Sequence, residues 1–277
     1  MRIFYLLLKR DFFLGLDKIK KSFLLLLSIN LLIFIFPIYF YHAYMPGEFF
    51  SFWDIIGKNI GGIPIKLVEE KVFEFPYAWL LLQLCIITII GNYIKDDLLS
   101  HSSFVRIRAK SIWKLWISKI IFCLITAIIF YIFLFGITYF VWRLSGHITT
   151  QWTTQSENIV RFTKLQPFSN QLVLYSILIN FGGTIFITSL YSTLSLIMRT
   201  VYSYIFCVSL LFLSIFSNNV FFLGNESMLM RQPLFGENII SSIYICLIIQ
   251  FILSVICIIL GGAYLSKLEI LGDTNEE

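Results

Sequence analysis

The stretch Ile120–Trp142, "IIFCLITAIIFYIFLFGITYFVW", contains no Asp, Glu, Lys or Arg. The hydrocarbon core of a bilayer is roughly 30 Å thick and takes about 20 apolar residues of α-helix to cross. This run is therefore long enough to span a membrane, and in water it would aggregate. Five further segments share its character: 22–44, 77–94, 171–197, 201–223 and 239–266. Every Asp, Glu, Lys and Arg of the chain falls outside these six segments, as expected when an ionised side chain at the bilayer centre is costly. The expected fold is all-α: a polytopic membrane protein with six transmembrane helices.

Composition agrees. Of 277 residues, 58% are hydrophobic and only 13% charged, against about 25% charged in a soluble domain. The wealth of Ile, Phe, Lys and Asn suggests an AT-rich bacterial genome, so the expected location is a bacterial cell membrane, with lipid as the surroundings and no nucleic acid as partner. All five cysteines lie in apolar segments and form no CxxC pair. They read as small hydrophobes and not as a metal site or disulfide framework. The first 21 residues are too charged for the apolar part of a signal peptide, so the first long run reads as a retained helix.

Orientation follows from the excess of Lys and Arg in cytoplasmic loops. With six spans, residues 1–21, 95–119, 198–200 and 267–277 share one side. They hold twice as many Lys and Arg as the loops 45–76, 143–170 and 224–238. Both termini are therefore expected in the cytoplasm. Trp79 and Trp142 would sit at the outer interface, and Trp113 and Trp116 at the inner one.

Residues 1–21 form a separate unit in this reading. Phe4, Leu8, Phe12, Leu16 and Ile19 recur at three- to four-residue spacing, with most of the charges off that stripe. Such an amphipathic helix suits the inner membrane interface. The transmembrane domain then covers 22–266 and a short cytoplasmic tail 267–277. The Pro- and Gly-rich loop 45–76 is expected to hold a short helix at the outer surface around "FFSFWDIIG". Loop 143–170 reads as exposed and polar.

Catalytic patterns are missing. The three histidines are far apart, no HExxH occurs, and Glu69 and Glu70 sit in an outer loop. No GxxxxGK[ST] phosphate cradle is present, so any nucleotide energy must come from another polypeptide. The chain reads as a non-catalytic subunit that binds no cofactor or metal itself. The apolar runs do carry uncharged polar residues, densest in "NFGGTIFITSLYSTLS". There Thr184, Thr188 and Ser192 share one helix face below Asn180. These four are candidates for lining a pathway, although hydrogen bonding between packed helices explains them as well. With no charged residue in the spans, a proton relay is not expected.

The most charged stretch between two spans is "KDDLLSHSSFVRIRAKSIWKLWISK", Lys95–Lys119. Its apolar positions, Leu98, Leu99, Phe104, Val105 and Ile107, fit a short amphipathic helix carrying both charge signs. Such a helix can dock into a groove of a soluble partner, or it can simply anchor the neighbouring spans. The stripe Phe4–Ile19 together with "DLLSHSSFVRIRAKSIWKLWISKI" (Asp97–Ile120) resembles the membrane subunit of bacterial type-2 ABC exporters. In these, an Arg-containing "IR" segment precedes a Trp and a Lys at the start of span three; here these are Ile107, Arg108, Trp116 and Lys119. The resemblance implies an N-terminal elbow helix, a coupling helix in loop 95–119, and a reentrant hairpin near the outer end of span five. In segment 216–238 the charges Glu226 and Arg231 instead read as exposed loop. It further implies a second copy of the chain or a homologue, and cytoplasmic ABC ATPase subunits that hold ATP and Mg. Asp96, Asp97, Arg106, Arg108 and Lys110 are then the candidate ATPase contacts. The apolar, aromatic spans favour export of an amphiphilic cargo such as a hydrophobic or bacteriocin-like peptide. The alternative is a membrane-embedded toxin-binding or immunity protein that never couples to ATP.

Overall fold

A computed structural model describes residues 2–44, 51–63, 75–91, 93–100, 111–146, 170–217, 224–231 and 243–273. Among them every regular element is helical. The helices are α1 (Arg2–Tyr44), α2 (Phe52–Ile60), α3 (Tyr77–Ile90), α4 (Tyr93–Ser100), α5 (Ile112–Leu144), α6 (Asn170–Ile197), α7 (Thr200–Phe216), α8 (Gly224–Ser227) and α9 (Ile243–Asp273), with a 3-10 turn at Leu229–Arg231 after α8. Five helices are long and apolar enough to cross a membrane: α1, α3 extended into α4, α5, α6 and α9. The sixth expected span, 201–223, is represented by α7, whose 17 residues fall just short of the usual ~20.

The amphipathic N-terminus and the first span are one helix. α1 runs unbroken for 43 residues, about 65 Å at 1.5 Å per residue, more than twice the hydrocarbon thickness. No Pro or Gly lies between Ile19 and Ser22 to stop it, and packing of its N-terminal part on the bundle explains why it continues there. Its buried face is Leu7, Asp11, Gly15 and Ile19, continued by Leu27, Asn30 and Phe34, whereas Leu16 of the expected stripe is exposed. A Cβ at Gly15 would lie closer than 3.0 Å to the ring of Phe122, so only glycine lets α1 approach α5 there. Aromatic pairs fix the register. Phe12 meets Phe122 and Phe23 meets Phe130, both edge-on at 5.8 Å between centroids, so α1 and α5 run in the same direction.

One end of the bundle is sealed by two segments expected in outer loops. The helix expected in loop 45–76 forms as α2, begun by a capping box between Ser51 and Asp54. It is largely buried and not laid on the surface, with Phe52 packed edge-on against Tyr139 at 5.3 Å. Segment 224–231 also folds inward. Met228, Leu229 and Ser227 are buried, so the reading of this stretch as exposed loop is corrected. Arg231 shows how a charge is accommodated. Its guanidinium donates to the carbonyls of Ser214, Ile215 and Ser217 at the end of α7 and to that of Ile63. The last carbonyls of a helix lack intrahelical partners and carry partial negative charge, so Arg231 caps α7. Burial lowers its pKa to about 10, which leaves it charged at neutral pH.

Three of the four tryptophans expected at the interfaces face into the bundle. Trp79, Trp116 and Trp142 are fully buried in the bundle, whereas Trp113 is exposed. Two of their N–H groups find partners inside: Trp116 donates to the Ile258 carbonyl at 2.8 Å and Trp79 to the Ser227 hydroxyl at 3.0 Å.

Candidate functional site: an ion cluster and a polar seam

At the end of the bundle opposite α2, Gly91 ends α3 with φ of 47°, in the region that favours glycine. The chain then turns into α4. Tyr191 of α6 fastens this turn by donating to the Gly91 carbonyl at 2.9 Å, and Lys95 donates to the Met198 carbonyl at 2.8 Å. The turn aims Asp97 inward. Lys119 of α5, with no exposed surface, lies 2.5 Å from Asp97 and 2.5 Å from Asp11. Arg10 of α1 pairs with Asp97, and Ser118 and Tyr93 complete the cluster, the latter accepting from Lys119 at 3.0 Å.

Two cations and two carboxylates thus balance in a buried site. Taking ions out of water is expensive and is offset only when each charge meets a partner. Here three elements remote in sequence, α1, α4 and the start of α5, meet through those charges. The separation of charges from the helix bundle is therefore incomplete: Asp11, Asp97 and Lys119 lie within it at one end and pair with one another.

The candidate contacts for a soluble partner separate accordingly. Asp97 is turned into the bundle and committed to Lys119 and Arg10, while Asp96 beside it is exposed. Arg106, Arg108 and Lys110 lie outside the described residues. Sequence reasoning gave Arg10, Asp11 and Tyr93 no role. The signal was there in Asp11, the one acid on the spacing Leu7–Asp11–Gly15–Ile19, one turn apart each time.

The four seam candidates on α6 are brought together, facing inward. Asn180, Thr184, Thr188 and Ser192 are all buried. Asn180 donates to the Ser227 carbonyl at 2.9 Å and accepts from the Tyr131 hydroxyl at 2.8 Å. Thr184 lies 2.7 Å from the same hydroxyl and 3.0 Å from the Gln83 side-chain oxygen. A hydroxyl has one proton to give, so Tyr131 and Thr184 share their two protons over these three contacts. Thr188 and Ser192 bond back to carbonyls of their own helix, each at 2.7 Å, and Ser192 also meets the Cys123 thiol of α5. The seam therefore ties α3, α5, α6 and α8 within one chain. As placed, it packs helices against one another. Gln83, Tyr131 and Ser227 are the partners the sequence did not reveal, because they come from other helices.

No family model, curated protein or solved structure matches this chain.

Proposed function

We propose that the chain is the permease subunit of a bacterial ABC exporter, embedded in the cell membrane with six spans and cytoplasmic termini. α7 serves as the short fifth span in this reading. Two such subunits, or one with a homologue, work with cytoplasmic ATPase subunits that hold ATP and Mg and carry out the hydrolysis. The cargo is amphiphilic, a hydrophobic or bacteriocin-like peptide.

The observation that carries this reading is the buried ion cluster. Loop 95–119 is where an ATPase would push. Asp97 at its start and Lys119 at its end are locked to each other and to Arg10 and Asp11 on α1. A displacement of the loop must then move α1 and α5 together, because separating the partners would strand charges in an apolar site. The inward packing of Gly224–Arg231 also supports the resemblance, which implies a reentrant feature near this stretch.

The test is affinity purification of the chain with the products of its neighbouring genes. The expected result is a stoichiometric ATPase that is lost when Arg106 and Arg108 are both replaced by Glu while membrane insertion is kept. Reconstituted vesicles should move cargo only with ATP. Function in vesicles lacking any ATPase would reject the proposal in favour of a toxin-binding or immunity protein.

A further inference from the structure

One polar side chain beside the seam is not satisfied. Gln250 of α9 is 1% exposed, and among the described residues neither its amide oxygen nor its amide nitrogen finds a hydrogen-bond partner. A buried amide left unpaired is costly, because the bonds it makes in water are lost and not replaced. The Gln250 oxygen lies closer than 3.0 Å to the point where a side chain on Gly182 would begin, and its nitrogen is 3.8 Å from the same point on Gly183. Ser227 of α8 reaches that second point too, with its Cβ 2.9 Å away. The glycine pair of α6 thus brings Gln250 and Ser227 together over one spot.

Segment 224–231 is held differently on its two sides. Towards the end of the bundle it is tied to the residues after α2: the Met230 N–H donates to the Gly61 carbonyl at 2.9 Å, Arg231 donates to the Ile63 carbonyl at 2.7 Å, and Met228 packs on Gly62. Towards the seam the contact is made by Ser227. Its carbonyl accepts from Asn180 at 2.9 Å and its hydroxyl accepts from Trp79 at 3.0 Å. Hydrogen bonds between packed membrane segments are individually weak. The bonds to 61–63 can travel with the segment, so lifting it from the seam breaks few interactions.

We propose that segment 224–231 is a stopper that lifts off the seam, and that Gln250 is the side chain that sets how readily it lifts. With Ser227 seated, the Gln250 amide is shut against the glycine pair. When Ser227 leaves, water reaches Gln250 together with Asn180 and Trp79, so the amide gains its bonds in the lifted state alone. A group that loses in one state and gains in the other biases the equilibrium between them. Lifting opens a wet chamber walled by amides and hydroxyls. The device needs neither ATP nor a cargo, so it stands apart from the exporter reading.

The test is hydrogen–deuterium exchange, read by mass spectrometry, on the full chain in lipid nanodiscs. The N–H groups of Met228, Met230 and Arg231 are hydrogen-bonded while the stopper is seated. They should exchange faster than those of α6 around Thr184, which open only with the bundle. Gln250→Met keeps the length of the side chain and removes the amide. It should slow exchange across 224–231 about ten-fold and leave α1 and α5 unchanged. Gly183→Ala places a methyl against Ser227 and should speed exchange in the same segment. A Gln250 that merely holds helices together gives the opposite sign, so faster or unchanged exchange in Gln250→Met would overturn the proposal. So would slowing spread evenly over the whole chain, no effect of Gly183→Ala, or a wild-type segment 224–231 that exchanges no faster than α6.

Discussion

Replacing Lys119 with Met tests whether the ion cluster holds the bundle together. Methionine nearly matches the lysine stem in length, so the change removes the ammonium with little loss of packing. Lys119 faces Asp11 and Asp97 at 2.5 Å each and Tyr93 at 3.0 Å, and it is wholly buried. Its loss leaves two carboxylates sharing Arg10 alone, so one negative charge is uncompensated. Removing one partner of a buried pair costs about 3–5 kcal/mol. At about 2–4 °C per kcal/mol for a chain of this size, the midpoint of thermal unfolding should fall on the order of 10 °C. The five cysteines are all buried, so a thiol-reactive fluorophore reports unfolding in detergent without further labelling. Adding Asp11→Asn to Lys119→Met restores neutrality, with Arg10 still paired to Asp97, and should recover more than half of the loss. A midpoint within 2 °C of the wild type, or a double variant no better than the single, would refute the view that charge balance organises this end.

Thr184→Val and Thr188→Val separate packing from passage. Thr184 bonds to other helices, so its loss should cost about 0.6–1.7 kcal/mol, read as a lower unfolding midpoint, while Thr188→Val should be nearly silent; equal transport defects without a stability difference would favour a pathway. Gly15→Ala should destabilise despite the ~1 kcal/mol by which alanine favours a helix, because its Cβ meets the Phe122 ring, and Phe122→Leu should relieve the defect in the same unfolding assay. Arg231→Gln removes the cap of α7, where hydrogen bonds to a charged group are worth about 1.5–3 kcal/mol each. Maleimide labelling of Cys207 on α7 should speed up, and an unchanged rate would mean the cap is idle.

Apolar run length alone determined that this chain is helical, with runs long and apolar enough to cross a membrane, because a backbone in lipid must satisfy its own hydrogen bonds and only long uncharged runs tolerate that solvent. It also located α2 within a loop from its glycines, prolines and apolar patch. It could not say where α1 begins or ends as a unit. Residues Phe4–Ile19 fit an interfacial helix by periodicity, and tertiary contacts such as that of Gly15 with Phe122 and the pairing of Asp11 with Lys119 make them part of the bundle. Arg231 read as exposed because a charge has no visible partner in its own sequence neighbourhood. The carbonyls that receive it include those of Ile63, far away in the chain. Asp97 was legible as a charge beside a span, but its direction was set by the turn at Gly91. The sequence by itself fixes which solvent each segment can tolerate, since that depends on composition along the chain. Only the tertiary structure decides which charges meet, since pairing depends on the register between helices distant in sequence.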